Sequence, residues 1–205
     1  MAGEKKEIVL YKELSFFISN HMRLFGETVR WKILSFFFDN HGAELYVKEL
    51  ARKAKISQSS ASVMCRDLLL EGILRSVHRG NSIFYSLDSG SPLVKRLKTD
   101  FFLGTLLAHA KIWENELFRS VALYGTYASG EYGQESPVEL LVVTDIDELR
   151  VNEMLRPLQS RLRAKIVFKV VPVARWLEME KRRDVSYLET LANHVLLFGR
   201  QLISG

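Results

Sequence analysis

VKELARKAKISQSSASVMCRDLLLEGILRSVHRGNSIFYSLD, residues 47–88, is the stretch that decides the fold. Lys48 to Ala54 sets Leu50, Ala51 and Ala54 on one face at helical spacing, and Lys55-Ile56-Ser57 reads as a tight turn. Ser57 is a good N-cap for a second helix over Gln58 to Gly72. On that helix Ala61, Met64, Leu68 and Leu69 face inward, whereas Ser59, Ser62 and Arg66 fall at i, i+3 and i+7 with Gln58 beside them. Ile73 to Val77 and Ile83 to Leu87 are β-prone runs flanking His78-Arg79-Gly80-Asn81-Ser82, where Gly and Asn supply positive φ.

Helix, turn, helix and hairpin in that order make a winged helix-turn-helix. The outer face of the second helix is small, polar and basic, as a helix must be to enter the major groove and offer donors and acceptors to base edges. Gln58, Ser59, Ser62 and Arg66 are the expected groove contacts, with Ser57 at the helix start and Lys55 on a phosphate. His78, Arg79 and Asn81 at the hairpin tip are placed to reach phosphates or the minor groove. From Lys48 to Ser82, seven basic residues (Lys48, Arg52, Lys53, Lys55, Arg66, Arg75, Arg79) oppose three acidic ones (Glu49, Asp67, Glu71), so most of the chain's net charge of +5 lies in this segment. A helical domain with merely solvated lysines, or a winged helix that binds protein, is the competing reading. The Gln/Ser/Arg face and the basic wing argue against it.

Glu27 to Asp88, with "ETVRWKILSFFFDNH", "LYVKELARKAKISQSSASVMCRDLLLEGIL" and "RSVHRGNSIFYSL", resembles the MarR/ArsR-type winged-helix regulators of bacteria and archaea. The resemblance implies a DNA-binding transcription regulator, commonly a homodimer on a two-fold-related site.

At 205 residues with 47% hydrophobic content, the chain is long enough for two small domains. Charge interrupts the apolar stretches well short of a membrane span, and "MAGEKKEIVLYKELS" lacks a sustained hydrophobic signal region, so a soluble cytoplasmic protein is expected. Cys65 is the only cysteine and reads as core filler beside Met64. His21, His41, His78, His109 and His194 show no metal-ligand spacing, and no metal or other cofactor is expected. Leu-Ser-Phe-Phe at Leu14–Phe17 and again at Leu34–Phe37 reads as two aromatic-rich core helices, not an internal repeat, because the flanks differ.

After the Ser89-Gly90-Ser91-Pro92 breaker, a helical pattern runs towards Phe118, with Leu93, Leu97, Phe101, Leu103, Leu107, Ala110, Trp113 and Leu117 as its apolar positions. A bare connector does not need so many large apolar side chains, so residues 92–119 are expected to form a linking helix that also dimerises.

The remaining residues, 120–205, carry "VALYGTYASGEYGQESPVELLVVTD". Val121 to Tyr124 reads as a strand, Gly125-Thr126 as a sharp turn, Gly130 and Gly133 as a loop, and Glu139 to Val143 as a second strand. This spacing resembles the minimal nucleotidyltransferases, in which a strand ends in Gly-Ser and Ser-Asp-x-Asp-Leu begins the next one. Gly125-Thr126 stands at the Gly-Ser position, Gly130 at the later glycine, and Ser136-Pro137-Val138-Glu139-Leu140 at the acidic motif. "RLRAKIVFKVV" resembles the family's third strand, and "YLETLANHVLLFG" its closing helix and last strand. The resemblance implies a nucleotide site at Gly125, Thr126 and Glu139. The departures bear on catalysis: Pro137 replaces the first aspartate, Glu139 the second, and Lys165, Val167 and Lys169 alternate where the third-strand carboxylate belongs. One carboxylate cannot build a two-metal clamp, so no catalytic residues and no transferase activity are expected. Asp145 and Asp147 read as acids at a helix N-terminus, where they meet the dipole favourably.

The expected architecture is thus α/β in two domains (α+β): a winged helix-turn-helix with an N-terminal helix over 1–91, the linking helix over 92–119, and a nucleotidyltransferase-like mixed sheet with flanking helices over 120–205. The expected function is a sequence-specific regulator of transcription on double-stranded DNA. Its second domain serves as a sensor of a nucleotide or small-molecule effector, or as an oligomerisation platform. The competing readings are a working nucleotidyltransferase and an antitoxin-like partner of a small helical protein.

Overall fold

A computed structural model describes residues 28–162 and 164–203; the segment Leu14–Phe17, and with it the expected first aromatic helix, lies outside them. The chain is mixed α+β and divides into two compact units, with the boundary between Val94 and Lys95.

In the first unit, α1 (Val29–Asp39) opens at Thr28, whose hydroxyl accepts from the Trp31 N–H at 3.2 Å. It buries Trp31, Ile33, Leu34, Phe37 and Phe38. A two-residue strand, β1 (Leu45–Tyr46), leads into α2 (Val47–Ala54). Lys55 ends α2 in the left-handed region, at φ +53, and turns the chain in three residues to Ser57, which caps α3 (Gln58–Leu70) by accepting from the Ser60 N–H at 3.0 Å. Ala61, Cys65 and Leu68 are the buried face of α3. The helix stops at Leu70 because Gly72, at φ +68, reverses the chain, and the N–H groups of Gly72 and Ile73 then satisfy the carbonyls of Leu69 and Leu68.

β2 (Leu74–Arg79) and β3 (Ser82–Leu87) follow, in a sheet of order β1-β3-β2. The hairpin is tighter than the five-residue tip expected, since Arg79 pairs with Ser82 and only Gly80-Asn81 remain in the turn. Gly80 takes φ +56 while Asn81 is absent from the positive-φ residues, the pattern of a II′ turn, which needs a left-handed residue only at its first position.

The linking segment departs from expectation. α4 spans Pro92–Leu107 and gives way to a 3-10 turn, Ala110–Ile112, so no single helix reaches Phe118. Its buried residues are Val94, Lys98, Thr99, Phe102 and Leu106, the face opposite the expected stripe, whose Leu93 and Leu107 are about half exposed (51% and 48%). Trp113, beyond the helix, is fully buried.

The second unit is built on a mixed sheet of order β6-β5-β4-β7: β4 (Ser120–Tyr124) lies antiparallel to β5 (Val138–Val143) and to β7 (His194–Gly199), and β5 parallel to β6 (Ile166–Val171). Side chains alternate between its faces. Val121, Leu123, Leu140 and Val142 join Phe102, Leu106 and Trp113, together with Val151, Leu155 and Leu158 of α6 (Glu148–Leu162). Ala122, Leu141, Val143 and Val171 meet Trp176 of α7 (Val173–Arg182) and Tyr187 of α8 (Val185–Ala192). Each fully buried Val or Leu among them stabilises by about 1.5–3 kcal/mol. Between β4 and β5, a short helix α5 (Gly125–Ser129) occupies what reads in sequence as a glycine-rich turn.

Candidate functional site

The first candidate is the outer surface of α3 and the hairpin. The inner positions Ala61, Cys65 and Leu68 are fully buried, which fixes the rotation of α3 and leaves Gln58, Ser59 and Arg66 exposed, with Ser62 half-buried between them. Arg66 is held loosely: its Nε reaches the Ser62 carbonyl at 3.4 Å, within its own helix. Ser57 is committed to the cap and also shares its hydroxyl with Ser60 Oγ at 2.7 Å and Ser59 Oγ at 3.0 Å, so it orders the helix start. Lys55 is exposed at the turn. On the hairpin, His78, Arg79 and Asn81 are exposed. Arg79 is not free: its Nη2 donates to Glu44 Oε2 at 2.6 Å, and its guanidinium lies 5.3 Å from the Phe84 ring centroid. The structure therefore gathers Lys55, Gln58, Ser59, Ser62 and Arg66 along one helix and its turn, and puts His78, Arg79 and Asn81 on the hairpin. Glu44, the partner of Arg79, gives no signal in sequence because it precedes the strand in a loop.

Cys65 lies on the reverse side of the same helix. Burial pushes its thiol up to about 11, which keeps it protonated and inert near neutrality. The Arg30 guanidinium, donating to both oxygens of Glu71 just beyond the helix end, holds that carboxyl below the usual range.

The second candidate lies on the sheet of the second unit. Antiparallel pairing sets Tyr124 opposite Glu139, and this brings the Glu139 carboxylate over Gly125, where a Cβ would meet Glu139 Oε2 at 2.0 Å. Gly125 is favoured by the backbone, at φ +69, whereas the Glu139 carboxylate could swing aside for a Cβ. Thr126, next in the chain, has a buried hydroxyl oxygen with no hydrogen-bond partner among the described residues. Gly125, Thr126 and Glu139 are therefore brought together at the start of α5.

β6 runs parallel beside β5, with Val167 level with Glu139 and Lys169 level with Leu141. Lys169 lies on the same face of the sheet as Glu139. Its ammonium donates to Ser186 Oγ at 2.7 Å and Thr190 Oγ1 at 3.1 Å on α8, and it lies 5.7 Å from the Tyr124 ring. Burial lowers its pKa, and the nearby Arg175 adds to that, while Glu189, Asp184 and Glu139 pull it back up. The side chains present do not fit a pair of Mg²⁺ ions: Pro137 has no ligand atom, Glu139 stands alone, and the third strand offers an ammonium. Among the described residues, no group of three or more His, Cys, Asp or Glu comes together in a form that could hold a metal ion.

The loop after α5 is clamped to α4. Gly130, at φ +78, sits so close that a Cβ would lie 1.9 Å from the Lys95 carbonyl oxygen. Lys98 donates to the Tyr132 carbonyl at 2.6 Å and lies 4.3 Å from its ring, and Tyr132 Oη returns a bond to the Lys98 carbonyl at 2.9 Å. Asp147 caps α6 by accepting from the Arg150 N–H at 2.9 Å, as an acid before a helix should. Asp145 caps a different helix, accepting from the Val173 N–H of α7 at 3.0 Å. Sequence reasoning had no view of α7, so that partner was invisible to it.

No protein-family model matches the chain, and no curated protein does. Among solved structures the chain is similar to reduced HlyU from Vibrio cholerae N16961, at 24% identity over 50% of this chain and 96% of that one, with a TM-score of 0.32. It is also similar to a mutant of the toxin-antitoxin MntA-HpeT, at 18% identity over 50% of this chain and 74% of that one, with a TM-score of 0.31. A third similar structure, a toxin-antitoxin with AMP-PNP, is 17% identical over 56% of this chain and 76% of that one, with a TM-score of 0.30. Each of these likenesses is coarse.

Proposed function

We propose that this chain is a sequence-specific regulator that binds double-stranded DNA through a winged helix-turn-helix in its first unit. The observation that carries this reading is α3. It is tied into the core by fully buried Ala61, Cys65 and Leu68, is reached by a three-residue turn from α2, and turns Gln58, Ser59 and Arg66 to solvent with little internal engagement. Exposed amide, hydroxyl and guanidinium groups on one rigid helix are the groups that read base edges. The hairpin, with His78, Arg79 and Asn81, supplies phosphate contacts beside it.

In this reading the second unit is a nucleotidyltransferase-like domain that does not catalyse. Pro137 and Glu139 in place of two aspartates, and Lys169 bonded to Ser186 and Thr190 on the third strand, support that assignment. It acts as a sensor of a nucleotide or small-molecule effector, or in self-association. The half-exposed Leu93 and Leu107 on the outer side of α4 suit a homodimer.

Selection from a random duplex pool with the full chain at near-physiological salt tests the proposal, because purely phosphate-driven binding is weak there. An enriched two-fold-symmetric motif is expected, and recovery of no motif would sink the sequence-specific reading. Transfer of labelled nucleotide to any acceptor would overturn the non-catalytic assignment.

A further inference from the structure

β2 and β3 hold a second feature on the sheet side opposite the buried Leu74 and Tyr85. With side chains alternating, Arg75, Val77 and Arg79 share one face of β2, and their cross-strand partners Ser86, Phe84 and Ser82 share it on β3. Arg75 Nε donates to Ser86 Oγ at 3.0 Å, and Ser86 is itself buried at 7% exposure, so the guanidinium is anchored at its inner end. Arg79 lies over the Phe84 ring, which Tyr46 braces edge-on at 5.9 Å between centroids. The two arginines, with Glu44, Ser86, Asn40 and Ser89, line a cavity of about 240 Å³.

The charges in that cavity do not balance. Glu44 neutralises Arg79, whereas among the described residues the partner of Arg75 is a hydroxyl and its two terminal nitrogens have no carboxylate. A guanidinium anchored through Nε presents its remaining donors as a fork, the geometry that pairs two oxygens of a phosphate or carboxylate. We propose that Arg75 and Arg79 form a phosphate-binding site in which Glu44 is the resident competitor, releasing Arg79 when a phosphate group enters. The site takes one phosphate group, carried by a small phosphorylated molecule or by duplex DNA. The geometry stands without the DNA-binding reading; only the DNA source of the phosphate rests on it.

The test uses the full chain, with inorganic phosphate as the probe and chloride at matched ionic strength as the control. Arginine Nε–Hε resonances are followed by NMR in the wild type, Arg75→Ala, Arg75→Lys and Glu44→Gln. Saturable shifts of the Arg75 and Arg79 signals by phosphate and not by chloride are expected. Arg75→Ala abolishes the Arg79 shift, and Arg75→Lys, which keeps the charge and loses the fork, weakens it. Glu44→Gln tightens binding by about two- to five-fold, as removal of a half-exposed competing pair should. No saturable shift, the same shift in Arg75→Ala, or no tightening in Glu44→Gln would each overturn the site. The same variants measured on duplex DNA identify the source. Loss of affinity in Arg75→Ala with a salt slope lower by about one assigns a backbone phosphate. Unchanged DNA binding beside lost phosphate binding assigns a small molecule. A chain that binds no DNA at all still gives the phosphate titration, so the two readings fail separately.

Discussion

The outer face of α3 and the sheet site around Glu139 hold comparable polar side chains in opposite states. On α3, Gln58, Ser59 and Arg66 project from a helix whose inner positions Ala61, Cys65 and Leu68 are fully buried, and Arg66 donates to a carbonyl one turn back, its only bond among the described residues. On the sheet, the Glu139 carboxylate rests on Gly125, and Lys169 spends its ammonium on Ser186 and Thr190 of the covering helix. One surface has donors to give away; on the other the cation is bonded within the fold. An interface that must meet a partner keeps its polar groups solvated and unpaired, because an internal bond would have to break first. A cation bonded within the fold, as Lys169 is, contributes to stability instead.

That contrast can be broken or sharpened by substitution. The largest effect belongs to the clamped loop: Gly130→Ala forces a Cβ against the Lys95 carbonyl at positive φ and should destabilise by about 2–4 kcal/mol in urea unfolding, with an unchanged midpoint showing that the loop is not clamped. Next comes α3. Arg66→Ala should weaken specific DNA binding by about 1–3 kcal/mol in anisotropy titrations while leaving unfolding within about 0.5 kcal/mol. Arg79→Ala should chiefly lower affinity and the salt slope; unchanged binding in both variants would remove this face from the interface. Lys169→Ala should do the reverse, costing about 1–2 kcal/mol of stability by leaving Ser186 and Thr190 without their donor, with DNA binding unaltered. Equal stability there would mean that the cation is not structural.

The smallest effect is a pH dependence from Cys65. Its thiol ionises at about 9 when unfolded and about 11 when buried, so between those values the unfolded chain binds fewer protons and stability falls as pH rises. The loss is about 1.4 kcal/mol per pH unit at most, is absent below about pH 8, and should vanish in Cys65→Ala. Reaction of the native thiol with a disulfide reagent at neutral pH would show that α3 is not closed on its inner side.

Much of the first unit was legible because its signals are local. Ser57 at the cap, Gly72 after the helix, Gly80 at the turn and the inner apolar positions of α3 each act within a few residues of themselves, and the chain obeys them. In α4 the choice of the face that packs within the chain is not local. Leu93, Leu97 and Leu107 lie on one side and Val94, Phe102 and Leu106 on the other, so periodicity offers two apolar faces and only packing selects one. α7 gave no strong pattern because its single fully buried anchor, Trp176, sits on an otherwise charged segment, and the acid that caps it is 28 residues away at Asp145.

The sequence by itself determined the order of helices and strands over residues 47–88 and the exposed polar face of α3. Those depend on residue identity and on spacings of a few residues. Tertiary structure alone decided that Glu44 holds Arg79, that Glu139 lies on Gly125, that Lys169 is spent on α8, and that Arg75 shares a cavity with Arg79. Each of those contacts joins residues brought together by strand pairing or helix packing, and nothing in their local sequence records the distance that folding closes.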